Sequence, residues 1–465
     1  VKPTRDNTAG DRTERAEARG SWAGGRRSRG AILILVLWAL VVLVLLAGGI
    51  SFTLKQDLAI SSLQRDRLAA HWAARAGVER GIAALMDDAN ATDSEQDAWA
   101  DDERIFKDVG IVGGFFNLYR DGYELQPLDW RGINDECAKL NVNTATREQL
   151  MRLPRMTAPV AAAILDWRDE NQQPEPDGVE RGHYESLPHP YTIRNGPLRS
   201  IRELLLVRGV TPELFYGEDA NGNGRLDDNE NDGPASDPPD NADGRLDRGW
   251  YAYLTVHSLE KNVDALGSPR VNIRTADAGT LTQRLRLEPW AAQSIVKYRG
   301  EHEFKRLVDL LKVPRDPNVK RGGPESDTFA RSEGEKDVPV TKDIFKRLCD
   351  RITLTDDPVV PGRVNINTAP REVLAALTDD ETADAILRER AVRGPFTGIG
   401  DILGVGGLTE EKFGEIDDRL AVRSSVFRIR SQGTSDSELA TATIECVVDR
   451  GGAVPKVLYW LESSP

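Results

Sequence analysis

The segment with the clearest potential for chemistry runs from Asp219 to Glu230 and has the spacing of a calcium-binding loop. Ca²⁺ prefers about six to eight oxygen ligands, which such a loop supplies from alternating positions. The predicted ligands are the carbonyl oxygen of Arg225 and the side chains of Asp219, Asn221, Asn223, Asp227 and Glu230. The pattern predicts a bound Ca²⁺, and the alternative is an ordinary solvated turn rich in Asn, Asp and Gly.

A second and weaker copy of the loop follows, within a predicted insertion at 217–250. Its candidate ligands are Asn241, Asp243 and Asp247. The first and last ligand positions hold Pro239 and Trp250, neither of which offers a side-chain oxygen. We therefore expect a second cation here only if Asp237 or Asp240 substitutes.

Acidic residues farther upstream form a third candidate. Asp166, Asp169 and Glu170 share one face of a predicted helix. Four more acids follow shortly after, Glu175, Asp177, Glu180 and Glu185. Such carboxylates bind cations or exchange protons, but a solvated acidic loop has the same composition. The sequence contains no nucleophile elbow, phosphate loop or metal-spaced histidine pattern. It therefore predicts a protein that is not an enzyme.

The elements that position these residues begin with a membrane segment. Residues 31–50 are uncharged and apolar, and at about 1.5 Å per residue they span a hydrocarbon core of about 30 Å. Residues 1–30 carry eight Lys or Arg and four Asp or Glu. The positive-inside rule then predicts a cytoplasmic leader and an exported remainder. Residues 51–88 continue the helix as an amphipathic half, whereas cleavage at Ala47-Gly48-Gly49 by a signal peptidase would instead give a secreted protein.

A small antiparallel sheet is predicted from both ends of the chain. Residues 87–104 form an acidic, solvated connection after the helix. Residues 110–139 supply the first strands, at 115–119 and 123–128, and residues 421–465 supply three late strands. We therefore expect an α+β fold in which the long helix packs on the sheet.

A repeated motif fills the middle of the chain, at 140–420, which we predict to be a large inserted helical domain. Each copy reads apolar, Asn, apolar, any residue, Thr, Ala. The three repeats are assigned to 140–215, 271–345 and 364–413. The template threonines that we expect to cap the following helix are Thr144, Thr275 and Thr368. Each copy ends with a Thr four residues before a Phe.

Charge and cysteine content narrow the function further. The formal charge of −14, less the +4 of residues 1–30, leaves −18 on residues 31–465. An exported body this acidic is a poor nucleic-acid binder. Cys137, Cys349 and Cys446 lack metal-ligand spacing. Two of them could form one disulfide and leave the third as a free thiol, and this alternative remains open.

The repeat template resembles helix-hairpin-helix modules, including those of membrane-anchored DNA receptors in competence systems. Those modules bind phosphate through a hairpin that contains glycine. The corresponding hairpins here read Leu153-Pro-Arg-Met-Thr157, Leu285-Arg-Leu-Glu-Pro289 and Leu377-Thr-Asp-Asp-Glu381. None contains glycine, so no nucleic acid is expected as a partner. A membrane-anchored helix-hairpin-helix DNA-binding protein is the alternative function.

A closer resemblance, to the minor pseudopilin K family of type II (general) secretion systems, covers nearly the whole chain. The motifs that carry it, in order, are Arg29-Gly30 before an apolar helix with Trp38, Ala76-Gly-Val-Glu-Arg80, Leu140-Asn-Val-Asn143, Ile164-Leu-Asp-Trp-Arg-Asp169, Ile201-Arg-Glu-Leu204 and Val364-Asn-Ile-Asn-Thr-Ala369. The family implies a pilin-like fold, with a long N-terminal helix on a small antiparallel sheet and a large inserted helical domain.

The resemblance also implies a processing site and partners. A prepilin peptidase would cut after Gly30 and methylate the new N-terminus at Ala31, which makes Leu35 the fifth mature residue. Ordinary pilins hold Glu there, and the K family lacks it. The family implies a single-pass protein of the inner membrane with a cytoplasmic N-terminus and a periplasmic body that binds calcium. Its partners would be the minor pseudopilins I and J, with which it forms the tip of the secretion filament.

Overall fold

The computed structural model describes residues 28–121, 131–219, 226–235, 239–319 and 338–463. Contacts between residues divide the chain into two units, which meet between Gln64 and Arg65. The strand predicted at 123–128 lies outside the described residues.

The long N-terminal helix α1 runs from Ser28 to Asp87 without interruption, as predicted from composition. In the first unit, residues 32–64 of this helix are exposed, and they include residues 32–50 of the apolar run. By length and composition this part suffices to cross a membrane. The apolar half of α1 is thus a candidate single-pass anchor.

The strands of the second unit are mostly short. In chain order they are β1 (Val109–Ile111), β2 (Gly114–Tyr119), β3 (Asn134–Asp135), β4 (Leu140–Asn141), β5 (Leu254–Thr255), β6 (Leu259–Lys261), β7 (Val271–Asn272), β8 (Ile352–Thr353), β9 (Val359–Pro361), β10 (Val364–Asn365), β11 (Leu420–Ala421), β12 (Val426–Ser435), β13 (Thr441–Asp449) and β14 (Lys456–Ser463). The main sheet is antiparallel, with the order β1-β2-β12-β13-β14, and β3 pairs with β12. One sheet therefore joins early and late strands, as predicted.

Small residues let the end of α1 approach the sheet closely. Ala70, Ala73 and Ala74 are fully buried against apolar side chains of β2, β12 and β13. Gly433 in β12 lies directly beneath them, and a methyl group at this position would come within 2.1 Å of the Ala70 carbonyl oxygen. The backbone of α1 thus packs against the backbone of the central strand.

The connection after α1 is partly buried, so its prediction as a fully solvated segment is wrong. Trp99 is 2 % exposed and packs edge-on against Phe427 at 5.0 Å between ring centroids. Asp93 is also buried and accepts a hydrogen bond from the Ser424 amide at 2.8 Å. Its acidic composition concealed these contacts because they are made with residues more than 300 positions later.

The helices after α1 are short. They are α2 (Glu103–Phe106), α3 (Arg147–Met151), α4 (Ala158–Arg168), α5 (Arg181–Glu185), α6 (Pro212–Tyr216), α7 (Trp250–Tyr253), α8 (Ala278–Leu285), α9 (Pro289–Glu301), α10 (Lys342–Leu348), α11 (Arg371–Leu377), α12 (Asp380–Arg393) and α13 (Glu410–Gly414). Each repeat contains one pair of consecutive helices, α3 and α4, α8 and α9, or α11 and α12. Each then continues through a 3₁₀ helix to α6, α10 or α13.

Each repeat is closed by a two-residue parallel strand pair. The opening strands β4, β7 and β10 pair with β5, β8 and β11, respectively. The repeats therefore end at Thr255, Thr353 and Ala421, beyond the predicted ends at 215, 345 and 413. The closing strands escaped prediction because two residues carry no periodic pattern.

The template threonines do not cap the helices. The first helix of each repeat begins three residues later, and the residue just before it is Thr146, Asp277 or Pro370. A tight turn intervenes, in which the template Asn side chain accepts a hydrogen bond from the amide two residues on. The prediction of capping by Thr144, Thr275 and Thr368 is therefore wrong. The late threonines Thr211, Thr341 and Thr409 do cap α6, α10 and α13.

An arginine recurs in each repeat. Arg168, Arg299 and Arg390 each donate to two carbonyl oxygens of the template turn. For Arg299 the acceptors are Ile273, at 3.0 Å, and Ala276, at 2.8 Å. In each repeat, the second helix of the pair is thus hydrogen-bonded to the turn that opens the repeat.

Buried ion pairs join the repeats. Glu260, in β6, accepts from Arg270 at 2.6 Å and from Arg363 at 2.6 Å. Although burial opposes the charge, Arg363 and Arg270 lower the pKa of Glu260 to about 2. Arg270 and Arg363 directly precede the second and third repeats. The Glu260 carboxylate therefore connects the first residues of these two repeats.

Candidate cation sites

The insertion at 217–250 is closed at its base by backbone contacts. The Glu218 amide donates to the Asp247 carbonyl at 2.8 Å, and the Gly249 amide donates to the Tyr216 carbonyl at 3.0 Å. Gly217 has a φ of 71°, and a methyl group there would come within 2.2 Å of the Asp247 carbonyl oxygen. The two ends of the insertion thus meet in a stem that needs glycine.

The first predicted loop is described only at its ends. Asn221, Asn223 and Arg225 lie outside the described residues. Asp219 is 8 % and Glu230 is 1 % exposed, and the Glu230 carboxylate accepts from the Asp227 amide at 3.1 Å. The structure therefore brings Asp227 and Glu230 together, as a calcium loop requires of its last two side-chain ligands.

In the second loop, the predicted ligands are held by internal hydrogen bonds. The Asn241 side chain accepts from the Asp243 amide at 2.8 Å and donates to the Asp247 carboxylate at 3.4 Å. Trp250, at the last ligand position, is buried and donates from its indole to the Pro154 carbonyl at 2.8 Å. This position thus serves packing, which explains why it lacks an oxygen ligand.

Glu218 links the two loops and was not predicted. Its carboxylate accepts from the Asn241 amide at 3.1 Å and from the Asp247 amide at 2.8 Å. Burial raises the pKa of Glu218, and the charges of Asp247 and Asp240 raise it further. Glu218 immediately precedes Asp219, so its carboxylate joins the start of the first loop to the second.

The upstream acidic group differs from the prediction in one member. Carboxylate oxygens of Asp166, Asp169 and Glu180 all lie within 4.8 Å of one another. Glu170 is exposed and is not part of the group. Because α4 ends at Arg168, the predicted helical face stops before Glu170, and the chain returns Glu180 in its place.

Another acidic group, Asp88, Asp93 and Asp97, has a protein cation beside it. Arg450 makes ion pairs with Asp88, at 2.9 Å, and with Asp93. Burial raises the pKa of Asp93 to about 7, although Arg450 lowers it. The guanidinium supplies the positive charge here, so this group does not require a metal ion.

The predicted processing site lies at the start of α1. Gly30 and Ala31 belong to its first turn, and their side chains lie outside what the structure describes. The three cysteines are free thiols, and all are buried.

Comparison with known proteins gives matches to family models and to single proteins. Two segments, residues 135–216 and 364–423, match models described as type II secretion system protein K. The type II secretion system protein K of Klebsiella pneumoniae is 29 % identical over 198 residues, which cover 41 % of this chain and 60 % of that protein. The chain therefore matches about 60 % of the length of this relative.

Two further matches complete the comparison. A mouse protein, endonuclease/exonuclease/phosphatase family domain-containing protein 1, is 30 % identical over 185 residues, or 39 % of this chain and 26 % of that protein. The crystal structure of the GspK-GspI-GspJ complex from the enterotoxigenic Escherichia coli type 2 secretion system aligns with a TM-score of 0.45 and 14 % identity. It covers 87 % of this chain and 99 % of the aligned chain.

The two family models and the Klebsiella pneumoniae relative agree on the class of protein, a component of type II secretion systems. Both matching segments lie in the inserted region, and each corresponds to one of the repeats. The chain is thus recognised by its similarity to the family of type II secretion system protein K.

Proposed function

We propose that the protein is a non-enzymatic minor pseudopilin that forms the tip of the type II secretion pseudopilus. It would nucleate the filament with the minor pseudopilins I and J and so promote export of folded proteins across the outer membrane. The observation that carries the proposal is α1, an uninterrupted helix whose first half is apolar and exposed and whose second half packs on a sheet.

Assembly is tested by co-expressing the full chain with the I and J proteins of the same genome. We expect the three to co-purify from detergent through a tag on this chain. The K protein of the enterotoxigenic E. coli system is seen in a complex with I and J, which supports this choice of partners. Recovery of the tagged chain without I and J would contradict the proposal.

Processing is the second part of the proposal. We propose that the prepilin peptidase cuts after Gly30 and methylates Ala31, and that the mature helix stays in the inner membrane until assembly. Leu35 fits a subunit with no neighbour ahead of it, because an unpaired Glu in lipid would be costly. N-terminal sequencing of the mature protein should give methylated Ala31. Gly30→Val should block the cut and Gly25→Val should not, whereas an N-terminus at Ile50 would indicate a secreted protein.

The cofactor we propose is Ca²⁺, bound by the insertion through Asp219, Asn221, Asn223, Arg225, Asp227 and Glu230. The described donors fit a hard cation, because Asp219 and Glu230 are buried carboxylates at the two ends of the loop. Bound Ca²⁺ would offset their charge and stabilise the loop. A possible second ion would use Asn241, Asp243 and Asp247, with Glu218 as the additional carboxylate.

We read the three repeats as helix-hairpin-helix units that serve packing. Their consecutive helices are joined by short turns, and their apolar residues form one continuous core. The alternative is DNA binding. A gel shift of the full chain at low salt should show no complex; a complex that weakens steeply as salt rises would favour the alternative.

A further inference from the structure

We propose that a cleft between the second and third repeats binds the C-terminal residue of another protein, with Arg306 and Lys346 holding its carboxylate. The second repeat lines this cleft with residues between 306 and 346, and the third repeat lines it with residues between 403 and 411. Its volume is about 650 Å³. We refer to it as the inter-repeat cleft, and the proposal stands apart from the secretion role.

Direct packing between the two repeats fixes the walls of the inter-repeat cleft. Phe345 of α10 packs edge-on against Phe413 of α13, at 6.1 Å between ring centroids. Gly414 follows so closely that a methyl group there would lie 2.5 Å from Val308 Cγ1. The Val308 amide also donates to the Asp417 carboxylate at 2.8 Å. The walls are therefore formed before any ligand arrives, as is usual for binding sites of this size.

The floor of the cleft is apolar. Val308 of the second repeat and Leu403 and Leu408 of the third line it, and they are 2 %, 8 % and 2 % exposed. These side chains offer an apolar surface that water covers at a cost in free energy. An apolar side chain of a ligand would displace that water.

Two of the cations in the cleft are left without an opposite charge. Lys342 is paired with Glu410 at 2.7 Å, which joins the two walls. Arg306 and Lys346 are half-buried in the same cleft, and no carboxylate of the described residues pairs with either of them. A cation that has lost part of its hydration is stabilised by an anion that hydrogen-bonds to it. These two side chains therefore favour an anionic ligand.

The unpaired carboxylates of the cleft lie at its rim. Asp343 and Glu411 are both exposed, so water solvates and screens their charges. The half-buried interior of the cleft is therefore positive, although the chain as a whole has a formal charge of −14. An anion that enters the interior gains the contacts with the cations and stays apart from the solvated acids.

The combination of features specifies the ligand. The Arg306 guanidinium can bind a carboxylate through two parallel hydrogen bonds, and the Lys346 ammonium adds a second charge. The C-terminal residue of a protein offers a carboxylate and a side chain from the same carbon atom. A C-terminal residue with an apolar side chain would thus satisfy the cations and the floor together, whereas a phosphate ion would satisfy the cations alone.

The test titrates the full chain in detergent with a synthetic tripeptide that is acetylated at its N-terminus and has two alanines followed by a C-terminal leucine. We expect isothermal titration calorimetry to give a Kd of about 0.1–1 mM. The same peptide with a C-terminal amide keeps the apolar side chain and loses the charge. It should bind at least about tenfold more weakly, and inorganic phosphate should also bind more weakly than the peptide acid.

Variants locate the binding in the cleft. Arg306→Gln combined with Lys346→Gln should weaken binding of the peptide acid by at least about tenfold. It should leave the melting temperature unchanged, because neither cation has a carboxylate partner among the described residues. Arg347→Gln is the matched control, since Arg347 is exposed on the same helix and does not line the cleft.

Three results would overturn the proposal. The first is that the unmutated chain does not bind the peptide acid. The second is that the peptide amide or inorganic phosphate binds as tightly as the peptide acid, which needs no variant to fold. The third is that the double variant, with an unchanged melting temperature, binds the peptide acid as tightly as the Arg347→Gln protein does.

Discussion

The side chain of Asn367 pairs with the backbone of Phe396 in both directions. Its Nδ2 donates to the Phe396 carbonyl at 3.0 Å, and its Oδ1 accepts from the Phe396 amide at 2.7 Å. Asn143 makes the same two bonds with Leu198. The fourth template residue thus fastens the second half of a repeat to its first half.

We expect Asn367→Ala to destabilise the protein by about 2–4 kcal/mol, because it leaves a buried amide and a buried carbonyl of Phe396 unpaired. Urea unfolding of the full chain in detergent measures the loss. Asn318→Ala, at an exposed position, should cost less than about 0.5 kcal/mol. Equal effects of the two substitutions would show that the Asn367 pairing is unimportant for stability.

Gly433→Ala should separate α1 from the sheet. The added methyl group would meet the Ala70 carbonyl at 2.1 Å and the Ala74 amide at 2.2 Å, and backbone cannot move aside as a flexible side chain can. We expect a loss of about 3 kcal/mol. Gly110→Ala, in β1, has no atom within 4 Å of the added methyl and serves as the control. A Gly433→Ala protein as stable as the Gly110→Ala protein would contradict the close packing.

Asp417 should make stability depend on pH. It is fully buried, and burial raises its pKa to about 7, whereas an unfolded Asp titrates near 3.9. Between these values the folded chain keeps a proton that the unfolded chain has released, so this group's contribution to stability falls as pH rises from about 4 to about 7. The Val308 amide donates to Oδ2 at 2.8 Å, and Oδ1 has no partner among described residues.

Asp417→Asn should therefore stabilise the protein by about 1–2 kcal/mol at pH 8 and by much less at pH 5. The amide oxygen can still accept from Val308, and no buried charge remains. The comparison is by urea unfolding at both pH values, with Asp418→Asn as the control because the Asp418 side chain is 56 % exposed. A gain of equal size at pH 5 would rule out titration of Asp417 as the cause.

Chelation should lower the melting temperature of the full chain by about 5 °C. Asp219→Asn with Glu230→Gln should remove the insertion's share of this difference, and Asp228→Asn, an exposed residue of the same loop, should keep it. Limited proteolysis should show cleavage between Asp240 and Arg248 in chelator and protection with Ca²⁺. If Ca²⁺ does not change the cleavage of the unmutated chain, the loop does not bind Ca²⁺ and is an ordinary turn.

The sequence predicted best where periodic patterns extend over many residues. The continuous helix, the strands at both ends of the chain and the repeats all follow from such patterns. The capping role of Thr211, Thr341 and Thr409 was not predicted, although the same regularity contains these residues. Prediction failed where single contacts between distant residues decide the structure. Trp99 is buried by Phe427, and Glu218 reaches the second loop through the stem of the insertion.

The candidate sites show the same limit at shorter range. Helical spacing placed Glu170 beside Asp166, but the helix ends at Arg168 and the turn at Asp177, with a φ of 70°, brings Glu180 back instead. A residue fourteen positions away is not a neighbour in any regular element. The carboxylate types were therefore predictable, and their grouping was not.

The strand β3 pairs with β12, and Asp135 faces Phe427 in that pairing. The chain therefore leaves the sheet and re-enters it at adjacent points, with all three repeats between them. A region attached in this way is an insertion, because a short connection could replace it without moving any strand of the sheet. Each repeat is closed by its own strand pair and is a smaller unit within that insertion. Gene duplication could thus enlarge the domain stepwise while the pilin-like body kept its architecture.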